Sequence, residues 1–156
     1  MTAAKNKVVV VTGASSGIGR AFALEMGRRG AKVALLSRRA ELLKETAKEI
    51  KATGGDALVL PTDITDAKEV RTAFEHADSK YGHIDILFNA AGVLEPISPL
   101  IHATDKEIAA AVNTNYLGLC LVTREAARKM VEQSDGGTII HVSSGAAHSP
   151  RAGWVM

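Results

Sequence analysis

The sequence predicts an α/β chain with a doubly wound parallel sheet, helices covering both of its faces. Three observations lead there. Short β-branched runs alternate with longer amphipathic segments along the 156 residues. The runs are continuously apolar, as at Val8, Val9, Val10 and Val11, which suits strands buried on both faces. The connections are short, so consecutive strands must return through right-handed helical crossovers.

Strands are expected at 7–12, 32–37, 57–60, 84–89 and 137–143, five in all. The first helix starts at Gly17 and stops at Gly30, a glycine suited to the left-handed C′ position. The second, about 40–53, gathers Leu42, Leu43, Ala47 and Ile50 on one face. Its charged residues, from Glu41 to Glu49, fall largely on the other face, a solvated surface. The third opens on Asp66 with Glu69 three residues on, a capping-box spacing, and ends near Gly82. The fourth opens on Thr104 and Glu107, with the same spacing, and runs to about Ser134. No repeat, linker or low-complexity tract interrupts this order, so the chain reads as a single domain over 1–156.

Composition excludes several classes. The chain is 46% hydrophobic and 23% charged, ordinary for a globular protein. A net charge of +2 with dispersed basic residues argues against nucleic acid or an anionic membrane as partner. No apolar stretch approaches the roughly 20 residues of a membrane span. The single cysteine, Cys120, cannot form an internal disulfide, which fits a reducing, cytoplasmic setting. His76, His83, His102, His141 and His148 show no metal-ligand pattern, so no metal is expected.

The most specific local signal follows the first strand. Thr12-Gly13-Ala14-Ser15-Ser16-Gly17-Ile18-Gly19 is a glycine-rich turn that opens a helix. Gly13 permits the tight turn, Gly17 lets the backbone approach a pyrophosphate, and Gly19 lets helix and strand pack closely. Backbone N–H groups at the helix start then face the anion. The spacing G-x-x-x-G-x-G is not that of a Walker loop, which needs Lys-Ser/Thr after its second glycine. Strand, glycine turn and helix together indicate a dinucleotide site on a sheet of the Rossmann type.

The end of the second strand bears on which dinucleotide. A carboxylate there, about 20 residues on, would hold a ribose 2′-OH. This chain has Ser37, Arg38 and Arg39 instead. A hydroxyl and a guanidinium welcome a 2′-phosphate, which a carboxylate would repel. NADP(H) is therefore favoured, with NAD(H) possible. Arg39 is read only as the start of an exposed helix.

Five motifs in order extend the reading: the glycine turn, Asp63, Asn89-Ala90-Ala91-Gly92, Asn113-Thr114-Asn115 and Ser143-Ser144. Together they resemble the short-chain dehydrogenase/reductase family, from Lys7 to Ser144. The resemblance implies an oxidoreductase that moves hydride between a nicotinamide cofactor and a small-molecule carbonyl or alcohol. It implies that Ser15, Ser16 and Ile18 join the glycines at the phosphates. Asp63 would contact the adenine ring, helped by the backbone of Ile64. Asn89, Ala90, Ala91 and Gly92 would support the sheet and lie along the cofactor, with Ala90 where many relatives carry a second asparagine. Asn115 would hold a water of the proton relay mid-helix, where asparagine is intrinsically unfavourable. Ser144, with Ser143 beside it, would polarise the substrate carbonyl.

In the family a tyrosine follows that serine, with a lysine four residues beyond on the same helical face. By family spacing the tyrosine belongs immediately after Met156, where the sequence stops. Tyr81 and Tyr116 are followed four residues on by Asp85 and Cys120, not by lysine. The expectation is therefore a truncated member: C-terminal strands missing, a homo-oligomer interface lost with them, and an apolar edge at Thr138, Ile139, Ile140 and Val142. The alternative is a non-catalytic nucleotide-binding or regulatory module of the same fold.

Overall fold

The computed structural model describes residues 4–149. Five strands form one sheet: β1 (Val8–Thr12), β2 (Lys32–Ser37), β3 (Asp56–Pro61), β4 (Ile86–Asn89) and β5 (Thr138–His141). Their order is β3-β2-β1-β4-β5, and every neighbouring pair is parallel. The helices are α1 (Gly17–Arg28), α2 (Ala40–Ala52), α3 (Ala67–Tyr81), α4 (Asp105–Val112) and α5 (Leu119–Val131). The sheet is the expected doubly wound, Rossmann-type arrangement.

Alternation along β1 builds two cores. Val9 and Val11 join Val33, Leu35, Leu43 and Ile50 under α1 and α2. Val10 joins Leu36, Phe74, Leu87, Val122 and Met130 under α3 and α5. Successive side chains leave a strand on opposite faces, so one valine run feeds both layers. All four valines are essentially inaccessible to solvent, which is why the run is uninterrupted.

Several boundaries differ from expectation. β4 begins at Ile86, although Ile84 is already buried and the Asp85 N–H donates to the Val8 carbonyl. β3 runs one residue further at each end, closing on Pro61, and β5 is shorter, 138–141. Asp66 caps α3 by accepting from the N–H groups of Lys68 and Glu69. Glu69 does not complete the box. Its carboxylate accepts from the Asp63 N–H at 2.7 Å, while the Asp66 N–H is taken by the Asp63 carbonyl. At Thr104 both halves of the box form, and Thr104 also donates its hydroxyl to Glu107.

The long fourth helix is one rod with a fault in it. Between α4 and α5, Asn113–Gly118 widens into a π-helical segment, with right-handed helical backbone at both junctions. At its end Gly118 passes so close to Ile64 that a Cβ there would lie 2.8 Å from the isoleucine side chain. π-bulges of this kind concentrate at functional sites.

β5 is an edge of the sheet among the described residues, with Ile140 and Val142 more than a third exposed. At the opposite end from the glycine turn, Asp85 ties the strands together. Its carboxylate accepts from Lys7 Nζ at 2.7 Å and from the Val8 N–H at 2.8 Å, with His83 Nε2 2.9 Å away. Burial pushes the Asp85 carboxyl up, but the Lys7 and Val8 hydrogen bonds and the Lys7 and His83 charges outweigh it, so the net shift is downward. A lowered folded value means stability present above the ordinary carboxylate range and lost as pH falls through the folded value. In the full-length protein, Asp85→Asn should cost about 1–3 kcal/mol at neutral pH. It should also flatten the acid limb of a stability-versus-pH curve measured by urea unfolding. An acid limb identical to that of the unmutated protein would refute this role.

Candidate functional site

The strand order reverses at β1: β2 and β3 lie to one side, β4 and β5 to the other. The carboxyl ends of β1 and β4 therefore part above the sheet, the position where open α/β sheets bind ligands. One side chain organises that point. Thr12, the last residue of β1, faces Asn89, the last of β4. The Thr12 hydroxyl donates to Asn89 Oδ1 at 2.5 Å and accepts from the N–H groups of Ala90 and Ala91, each at 3.1 Å. Both side chains are buried, Thr12 completely. The Asn89 carbonyl accepts from the Val142 N–H, which carries the tie on to β5.

The turn after Thr12 is held by sterics. Gly13 has φ +66°, and a Cβ there would meet the Ala90 carbonyl oxygen at 2.9 Å. A Cβ on Gly19 would stand 2.5 Å from the Gly13 carbonyl oxygen. Only glycine fits at either place. Gly17, with φ +53°, has nothing within 4 Å of its would-be Cβ and faces open space. No side chain caps α1, so the first-turn N–H groups are left for a ligand.

A cavity of about 460 Å³ opens above this turn. It is lined by Gly13, Ser15, Ser16, Gly17, Ile18 and Gly19, by Ser37, Arg38 and Arg39, by Thr62, Asp63 and Ile64, by Ala90, Ala91, Gly92 and Val93, and by Thr114. The structure thus brings together in one cleft nearly every residue singled out for cofactor binding. Asn89 is the exception. It is not among the cleft-lining residues, and its Oδ1 accepts from the Thr12 hydroxyl while its buried Nδ2 has no partner among the described residues.

Asp63 combines two situations. It lines the cleft, and its Oδ1 also accepts from the Thr65 N–H at 3.0 Å and hydroxyl at 2.8 Å, turning the chain toward α3. Burial pushes its carboxyl up, but the Thr65 hydrogen bonds and the Arg38 charge outweigh that and hold it below the usual carboxylate value.

Two residues do more than expected. Asn115 sits mid-helix, within the π-helical segment. Its Oδ1 accepts from the Val93 N–H at 2.8 Å and its Nδ2 donates to the Val93 carbonyl at 2.9 Å, pinning the loop after β4. The cleft is lined by its neighbour Thr114 rather than by Asn115 itself. Arg39 is also more than a helix start. Its guanidinium donates to Ser16 Oγ at 2.6 Å and to Ser15 Oγ at 2.9 Å from Nη2, with Nε adding 3.2 Å to Ser15. The sequence carried only a weak signal for this, two consecutive arginines, and helix geometry decides which one swings back over the turn.

Ser144 stands apart from the cofactor cleft. It is exposed beyond β5, where its hydroxyl accepts from the Ala146 N–H at 3.2 Å and caps a short 3-10 turn, Gly145–Ala147. The described residues contain no cluster of three or more His, Cys, Asp or Glu able to hold a metal ion, and no helix is long and apolar enough to cross a membrane.

The Thr12 geometry has a direct test. Thr12→Val keeps the shape but strands the Asn89 acceptor and two backbone donors. It should lower stability by about 2–3 kcal/mol, and Thr12→Ser should recover most of that, measured by urea unfolding of the full-length protein. A Thr12→Val protein as stable as the unmutated one would contradict the assignment.

Comparison with known proteins agrees with this architecture. The model of the short chain dehydrogenase family matches residues 7–156. An uncharacterized oxidoreductase of Listeria monocytogenes is 40% identical over 115 residues, which is 74% of this chain and 46% of that protein. The structure of NAD+-bound xylitol dehydrogenase superposes with a TM-score of 0.93 at 28% identity, covering 97% of this chain and 58% of that one. A substituted actinorhodin polyketide ketoreductase with NADPH gives 0.91 at 28% identity, covering 99% and 59%. The chain spans about half the length of these relatives. It belongs to the short-chain dehydrogenase family, whose members are oxidoreductases.

Proposed function

We propose that the complete protein is an NADP(H)-dependent oxidoreductase that interconverts a carbonyl and an alcohol on a small-molecule substrate. The observation that carries the cofactor assignment is the end of β2. Ser37, Arg38 and Arg39 stand beside the glycine turn, and no carboxylate follows the strand. Relatives have been solved with NAD+ and with NADPH, so the preference rests on this chain's own residues. The cleft suits a dinucleotide on independent grounds. Its turn carries glycine at the two places where a Cβ would clash and leaves Gly17 facing open space, its helix start is uncapped, and two guanidiniums line it.

In this reading the turn from Gly13 to Gly19 takes the pyrophosphate on its backbone N–H groups, while Arg38 and Ser37 take the 2′-phosphate. Asp63 and the backbone of Ile64 receive the adenine, and Ala90, Ala91 and Gly92 flank the ribose and nicotinamide. Asn115 acts through Val93, holding the loop that forms this wall. The bound nicotinamide supplies or accepts the hydride. Ser144 donates to the substrate oxygen and polarises it, as the family resemblance implies. The proton comes from the tyrosine that the resemblance places after Met156, its pKa lowered by the lysine four residues on. Tyr81 is no substitute: its ring is buried, with Lys80 Nζ 4.8 Å from its centre, at the end of α3. We further assign the complete protein to the cytoplasm, as a homo-oligomer. The exposed apolar side chains of Val112, Tyr116 and Leu117 support self-association.

In the full-length protein, Arg38→Asp or Ser37→Asp should weaken NADPH binding by roughly 1.5–3 kcal/mol and turn preference toward NADH. Titration showing NADH bound at least as tightly as NADPH by the unmutated protein would overturn the cofactor assignment. Residues 1–156 alone should show no NADPH oxidation with a panel of ketones and quinones, because general acid–base catalysis worth about 10²–10⁴-fold is missing. Turnover by that fragment that disappears on Ser144→Ala would reveal a proton donor within it.

A further inference from the structure

Gly118 is buried in a helical rod, and its backbone does not call for glycine. Its φ of −59° and ψ of −43° are ordinary right-handed helix, which alanine adopts more readily. Space explains the residue. A Cβ there would meet both Cγ1 and Cδ1 of Ile64 at 2.8 Å and the Asn113 carbonyl oxygen at 3.2 Å. Ile64 is 5% exposed and packs in the core under α3 and α5, yet it also lines the cleft. Its loop, between β3 and α3, is braced from α3 by Glu69 on the Asp63 N–H. The π-helical segment that ends on Gly118 also reaches the loop after β4. Asn115 holds both backbone groups of Val93, and a Cβ on Gly92 would stand 3.3 Å from Asn115 Oδ1. Thr114 of the same segment lines the cavity. Residues 113–118 therefore touch two walls of one cleft, Ile64 on one and Val93 on the other.

We infer that Gly118 is a positioning residue: the notch it leaves seats Ile64 and so sets the spacing between the loop after β3 and the loop after β4. This rests on the reading of the cleft as a dinucleotide site, but not on which dinucleotide. The two loops leave strands on either side of β1, and beyond the strand ends no sheet ladder joins them. The π-helical segment spans them instead. A close-packed core has no room for an added methyl at 2.8 Å, so one partner must yield. Ile64 is fixed in the core, whereas the segment is a local departure from the helix ladder. The segment backs away and carries Asn115 and Val93 with it. A ligand that grips both walls then meets the wrong span, while a ligand on one wall meets little change.

The test is calorimetric titration of the full-length protein with NADPH and NADH, and with the adenylate half of whichever binds more tightly, 2′,5′-ADP or ADP. Gly118→Ala should weaken the whole dinucleotide roughly tenfold and the adenylate half less than about twofold. In an Ile64→Ala background the same Gly118→Ala change should cost the dinucleotide less than about twofold, since the methyl then has room. Asn115 is exposed, so Asn115→Ala tests the other end of the spacer without disturbing the core, and it should show the same split between whole and half ligand. Three results would overturn the inference. One is an adenylate half that loses as much as the dinucleotide in Gly118→Ala, which would confine the damage to the loop after β3. Another is an equal loss with and without the Ile64 side chain, which would trace it to the helix itself. The third is unchanged dinucleotide affinity in Asn115→Ala. An unmutated protein that binds neither NADPH nor NADH would overturn the dinucleotide reading, and this inference with it.

Discussion

The hydrogen bond between Thr12 and Asn89 joins the last residues of the two strands whose following segments both line the cleft. Parallel strands diverge at the switch point, and the backbone groups beyond their ends have no ladder partner there. One hydroxyl resolves this by donating once and accepting twice, on Asn89, Ala90 and Ala91. The Ala90 carbonyl is thereby held against Gly13, and the space left above becomes the cleft. The phosphate turn and the loop after β4 take their relative position from this contact. The far wall depends on a similar economy: a single asparagine, Asn115, satisfies both backbone groups of Val93.

Much of this was legible in the sequence because the constraints are local. Four consecutive valines between two cores, glycines where no Cβ fits and a threonine cap three residues before a glutamate each report a requirement of the backbone at that position. The five strands, their order of appearance and nearly all the cleft residues follow from them. Other features were hidden because they are set across space. Glu69 has the spacing of a capping box, yet the nearby Asp63 N–H competes for its carboxylate and wins. The π-helical segment leaves no mark in helical periodicity, since it answers to Ile64 and Val93 on other elements. Arg39 read only as the start of an exposed helix, whereas its guanidinium reaches back to Ser15 and Ser16.

The site divides into halves of different character. At the glycine turn lie an uncapped helix start, the hydroxyls of Ser15, Ser16 and Ser37 and two guanidiniums, with Asp63 held by Thr65. At the other end Ser144 sits exposed on a short turn beyond an edge strand. In the proposed reading, binding energy gathered at the first end would position the cofactor for chemistry at the second, as remote contacts contribute to rate.

The most direct test of the account is a crystal structure of the full-length protein with NADPH. The account places the pyrophosphate over Gly17 and the 2′-phosphate within hydrogen-bonding distance of Arg38 and of the Ser16 and Ser37 hydroxyls, with the Thr12–Asn89 bond intact. A 2′-phosphate directed into solvent away from Arg38, or a dinucleotide bound outside this cleft, would contradict it.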